Sequence, residues 1–175
     1  MSPIRRLAVL AATVLTVALV LGPAGTAQAG ASRGTVTLPL KGQFVGHFST
    51  VTPAPDLTLA DRGTGNATVL GRFTAKFTVH IDLNNPTPEG DVPVLKDGYL
   101  QTVAGDRVFL DLTGTFNLNT GVAVEHFTVT GGTGRFRHAS GSGRYDVPPP
   151  TFLDPVTGDG FGPELFDGVI QLRRR

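Results

Sequence analysis

Apolar and polar residues alternate with period two along much of this chain, and no helical spacing persists for long within residues 30–175. In residues 72–83, Phe73, Ala75, Phe77, Val79, Ile81 and Leu83 alternate with Arg72, Thr74, Lys76, Thr78, His80 and Asp82. Successive side chains of a strand point to opposite faces, so this pattern predicts a long strand with one buried face. Residues 107–118 predict a second, with Val108, Leu110, Leu112, Phe116 and Leu118 on one face and Phe109 as an aromatic exception on the other. Weaker alternation predicts strands in 43–51, 95–104, 122–130 and 168–173. Asn84-Asn85-Pro86, Asp97-Gly98, Gly105-Asp106 and Asn119-Thr120-Gly121 read as turns, the last as a hairpin. Residues 52–66 and 147–163, rich in Pro, Gly and Asp, read as irregular. Seven or eight one-faced strands must bury those faces together, either by closing into a barrel or by stacking two sheets.

The first 29 residues break this pattern. Arg5 and Arg6, an apolar run over residues 7–21 and Ala27-Gln28-Ala29 read as a secretory signal cleaved near Ala29. The run is shorter than the roughly 20 residues a membrane-spanning helix needs. The expected organisation is a signal peptide (1–29), a flexible mature N-terminus (30–42) and one β domain (43–175), secreted and extracellular. The chain has no Cys, so an oxidising compartment would add no disulfide and stability rests on the packed core. Of the 15 Lys and Arg, loss of Arg5 and Arg6 leaves 13 against 14 Asp and Glu. That near-neutral balance, with no Trp and two Tyr, gives nucleic acid neither a basic surface nor stacking platforms. Arg173-Arg174-Arg175 is the one charge run and reads as a solvated tail.

A glycine-dense block follows the strand predicted at 122–130: Gly131-Gly132-Thr133-Gly134-Arg135-Phe136, then Ala139-Ser140-Gly141 and Gly143. Glycine serves where backbone turns with positive φ or passes close to another segment, so five around one aromatic predict a strand end folded tightly back. The block resembles the glycine-rich signature of plant allene oxide cyclases, dirigent proteins and secreted bacterial relatives. Residues 66–74, Asn-Ala-Thr-Val-Leu-Gly-Arg-Phe-Thr, look like a second signature of the bacterial branch. The resemblance extends over roughly 43–172 and implies an all-β fold, a single closed eight-stranded antiparallel barrel with a cavity open at one end. It also implies action on apolar, oxygenated small molecules with no metal or organic cofactor. The glycine block carries none of that chemistry, so no catalytic residue is transferred with it.

Strand phase supplies the candidate site. Ala123, Glu125, Phe127 and Val129 share a face; if Phe127 points inward, so does Glu125, a carboxyl in an apolar cavity fit for general acid or base work. The opposite phase would place Val122, Val124 and His126 inside and leave Glu125 in water. The expected cavity lining is Phe44, Phe73, Phe77, Leu110, Phe116 and Phe127. Arg135, Arg137 and His138 form a candidate anion site at a barrel rim. His80 and Asp82 lack a third ligand at a convincing spacing, and Asp154, Thr157 and Asp159 lack the spacing of a calcium loop. Asn66-Ala67-Thr68 matches a glycosylation acceptor. Phosphate-binding loops, nucleophile elbows and His-Glu-x-x-His motifs are absent from the sequence.

Three functions stay open: a secreted barrel that binds a small apolar ligand, a cofactor-independent cyclase or isomerase acting on a small oxygenated substrate, and a structural or protein-interaction barrel with a filled core. The oligomeric state is not legible in the sequence.

Overall fold

A computed structural model describes residues 34–154 and 156–174. The signal segment and its cleavage site lie outside them. The described chain is almost entirely strand: β1 (Thr35–Thr52), β2 (Asp56–Ala67), β3 (Gly71–Asp82), β4 (Asp91–Thr102), β5 (Arg107–Asn117), β6 (Val122–Gly132), β7 (Ser140–Val147), the two-residue β8 (Phe152–Leu153) and β9 (Gly160–Arg173). Each long strand pairs antiparallel with the next, β7 pairs with β9, and β9 returns to β1 from Thr35↔Arg173 to Phe48↔Gly160. Eight strands therefore close a barrel, and β8 pairs with the start of β9 on the edge that β7 occupies further along. The strand faces are buried by closure and not by stacking a second sheet. One 3₁₀ turn, Gly134–Phe136, is the helical exception among the described residues.

The barrel has two unlike halves, and the inward side chains determine which is which. An eight-stranded barrel is just wide enough to be filled by side chains or to hold one small ligand. In the half that contains the β2–β3, β4–β5 and β6–β7 connections, Phe44, Phe73, Phe77, Phe127, Tyr145 and Phe166 fill the interior, with Leu70 and Phe136 buried above them. Phe44 meets Phe73 edge-on at 5.9 Å between ring centres, and Tyr145 stacks on Phe166 at 6.2 Å. Glycine on neighbouring strands makes room for such rings: a Cβ on Gly168 would lie 2.7 Å from the Phe127 ring. In the other half the inner positions shrink to Val79, Ile81, Val92, Val94 and Ala123, and that half stays open.

Several elements differ from the sequence pattern. Of residues 52–66, expected to be irregular, 56–66 belong to β2. Its inner positions include Asp61, Gly63 and Gly65, which carry no apolar signal; Phe44 of β1 occupies the space over both glycines, its ring at Gly63 and its Cβ at Gly65. Asp97-Gly98 is not a turn but the middle of β4, where Gly98 passes close to Phe77. Residues 35–42, assigned to a flexible segment, are the first part of β1 and pair with β9. The glycine block behaves as a tight return: Gly131 (φ 138°) sits beside an irregularity in the β5–β6 register, Gly134 (φ 53°) opens the 3₁₀ turn, and that turn delivers Phe136 to the closed end.

Candidate functional site

The open half encloses a cavity of about 510 Å³. Its walls are mostly apolar, from Leu57 and Leu59 of β2, Val79 and Ile81 of β3, Val94 of β4 and Phe116 of β5. Its mouth is edged by Thr120 and Gly121 of the β5–β6 turn and by Pro148, Pro150, Leu153 and Gly158 from the long β7–β9 connection. A second hollow of about 400 Å³ lies near Thr64, Arg72 and Gln101 and touches none of the buried ionisable groups. The chemistry therefore belongs to the first.

The floor of this cavity is a layer of charge. Asp61 of β2, Lys96 of β4, Glu125 of β6 and Glu164 of β9 come from alternate strands around the ring and are all at most 4% exposed. Lys96 Nζ lies 2.6 Å from Glu164 Oε2 and 2.7 Å from Asp61 Oδ2, and donates to the Tyr145 hydroxyl at 3.1 Å. Its ammonium also sits 4.6 Å from the Phe77 ring centre and 4.7 Å from that of Tyr145. Aromatic faces attract a desolvated cation, so the rings of the closed half form the underside of the charged layer. The Tyr145 hydroxyl donates a short hydrogen bond to Glu164 Oε2.

Three carboxyl groups face one ammonium. Glu125 has no cation within 4 Å among the described residues, and its Oε2 has no hydrogen-bond partner; neither has Asp61 Oδ1. A buried charge without a partner is costly, and a carboxyl in that position holds its proton more tightly. Burial raises the pKa of Glu125 against the opposing pull of Lys96, with Asp61 raising it further. Burial likewise raises Glu164, against Lys96, to about 7. Burial alone would lower Lys96, but Glu164, Asp61 and Glu125 together push it above its usual value. Burial, then Glu164, drives the Tyr145 phenol well above its ordinary range. The floor is thus a proton-holding cluster at neutral pH.

Gly46 of β1 makes the layer possible. A Cβ there would collide with Glu164 Oε1 and lie 2.9 Å from Asp61 Oδ1.

Of the residues singled out in the sequence, Glu125 is at the floor, 2% exposed, on the inward face with Ala123, Phe127 and Val129. Val124 and His126 lie on the other face. Phe116 lines the cavity, whereas Phe44, Phe73, Phe77, Leu110 and Phe127 belong to the packed closed half. That placement corrects the expected lining: large rings fill a barrel of this width, so the open space falls where smaller side chains stand. Arg135, Arg137 and His138 are exposed on the β6–β7 connection, at the end of the barrel opposite the cavity mouth. There the Arg135 guanidinium donates to the Val69 carbonyl at 2.9 Å and packs over Phe136. It fastens the closed end. His80 bonds to Thr58, and Asp82 accepts from Asn84. Asp61, Lys96, Tyr145 and Glu164 were missed. The signal for Lys96 was available, since Val92, Val94 and Lys96 share one phase; Glu164 was concealed because 147–163 and the start of β9 carry so much Gly and Pro.

No family model matches this chain, and no curated protein matches it. Among solved structures, a pterocarpan synthase dirigent protein is similar, with a TM-score of 0.49 and 13% identity, over 81% of this chain and 87% of that one. The closed eight-stranded antiparallel barrel fits the allene oxide cyclase/dirigent-like architecture that the glycine block resembles in sequence.

Proposed function

We propose that this chain is an exported, dirigent-like barrel protein that binds a small apolar ligand in the open half of the barrel, with the ligand's polar end against the Glu125 floor. The observation that carries the reading is the union of an apolar-walled cavity of about 510 Å³ with an unpartnered, buried carboxyl oxygen at its base. Sites for small molecules commonly combine apolar walls with a few convergent polar groups. Export rests on the pattern of residues 1–29.

A second reading has its own support. A buried carboxyl that holds its proton more tightly than usual suits a cofactor-independent cyclase or isomerase, in which Glu125 would move a proton while the cavity folds an oxygenated substrate. A structural role with a filled core has least support, because only the closed half is filled.

Native mass spectrometry of protein purified from culture medium tests the first reading: a retained small molecule and a mature N-terminus near Gly30 are expected. An empty barrel that takes up no apolar compound would contradict it. Glu125→Gln separates the two readings, since turnover collapses if Glu125 moves a proton, whereas a neutral ligand still binds.

A further inference from the structure

The floor specifies the head group of the ligand. The buried polar atoms at the base of the cavity without a hydrogen-bond partner are carboxyl oxygens of Glu125 and Asp61, and Lys96 is already shared between Asp61, Glu164 and Tyr145. Ionised carboxylates only accept hydrogen bonds. The cavity thus offers a ligand acceptors in excess, three carboxyl groups against one ammonium, while its walls above this point are aliphatic and aromatic.

We infer that the cavity is built for an apolar amine, whose ammonium group adds a second cation to the charged layer by pairing with Glu125, the cavity-lining carboxyl with no cation within 4 Å among the described residues. This rests on the ligand-binding reading above and narrows it to a ligand class. With the ammonium in place, three carboxyl groups face two cations, and Glu125 gains a partner. A neutral alcohol can supply one donor and no charge. A carboxylate adds a fourth anion to the layer and is excluded.

Three probes with the same apolar body test this: naphthylmethylamine, naphthylmethanol and naphthoate, titrated by calorimetry into the protein at pH 8. The amine is expected to bind at least tenfold more tightly than the alcohol, and naphthoate not to bind measurably. Amine affinity should weaken from pH 8 to pH 5, as protons return to a layer that holds Asp61 of β2, Lys96 of β4, Glu125 of β6, Tyr145 of β7 and Glu164 of β9, the last raised to about 7. Glu125→Gln should reduce amine affinity to the level of the alcohol and change alcohol affinity less than about threefold. Equal binding of amine and alcohol by the unaltered protein, or tighter binding of naphthoate, overturns the inference and leaves a ligand cavity standing. Failure of all three probes to bind overturns the cavity reading itself. The comparison of probes and the pH series use the unaltered chain, so the test does not depend on the folding of the variant.

Discussion

Replacing Lys96 by Met tests how the charged layer is held. Methionine fills most of the space of the lysine stem and removes the ammonium, so the main loss is electrostatic. Lys96 Nζ stands 2.6 and 2.7 Å from two carboxyl groups in a site where both partners are at most 5% exposed. Breaking a buried pair by deleting one partner costs about 3–5 kcal/mol, because the remaining charge is left uncompensated. Two cation–π contacts are lost as well, each about 1 kcal/mol or somewhat more. The cost depends on pH. Without the ammonium, the folded-state affinities of Glu125 and Glu164 for protons rise further above their unfolded values, so the folded state binds more protons than the unfolded one and stability falls as pH rises. Urea unfolding at pH 5 and pH 8 is the assay. The variant should lose about 3–5 kcal/mol at pH 8, on the order of 10 °C in Tm, and recover more than half of that at pH 5. A loss below about 1 kcal/mol at pH 8, or the same loss at both values, would refute the reasoning.

Other expectations follow from the same geometry. Because Glu164 is raised from an ordinary 4.5 to about 7, its contribution should lower stability between roughly pH 5 and pH 8 by up to about 3 kcal/mol. Glu164→Gln should flatten that part of the urea-unfolding profile, and an unchanged slope would argue against the assignment. Gly46→Ala should push Glu164 from its place and cost about 1–3 kcal/mol, read by thermal unfolding. Phe44→Ala, in the filled half, should cost about 3–5 kcal/mol, whereas Phe116→Ala, on the cavity wall, should cost less than half as much and admit a bulkier probe. Equal losses at the two positions, in paired denaturation curves, would contradict the division of the barrel into filled and open halves.

What the sequence made legible depended on whether a strand's inner face was apolar. β3 was plain because Phe73, Ala75, Phe77, Val79 and Ile81 all turn inward. β6 was plain enough to place Glu125 beside Phe127, and the structure puts both inside. β2 was invisible because its inner row runs Leu57, Leu59, Asp61, Gly63, Gly65: two apolar residues, a charge that belongs to the site, and two glycines whose missing side chains would meet Phe44 of another strand. That close approach is a long-range fact, and no local pattern encodes it. The same holds for the cavity. Which Phe residues line it depends on the height at which each strand crosses the barrel, a property of register, and only Phe116 of the six expected rings and side chains stands at the open end. The charged layer was half legible. Glu125 stood out because it interrupts an apolar face, and Lys96 interrupts another in the same way; what could not be read was that β2 and β9 bring Asp61 and Glu164 to the same height.

The account rests on a buried carboxyl cluster that forms the floor of a ligand cavity. Its most direct measurement is the carbon-13 carboxyl resonance of Glu125, followed by NMR from pH 4 to pH 9 with and without naphthylmethanol. The account expects Glu125 to titrate above the ordinary 4.5 and its resonance to move when the probe enters. Titration near 4.5, with a resonance indifferent to every apolar probe, would contradict it.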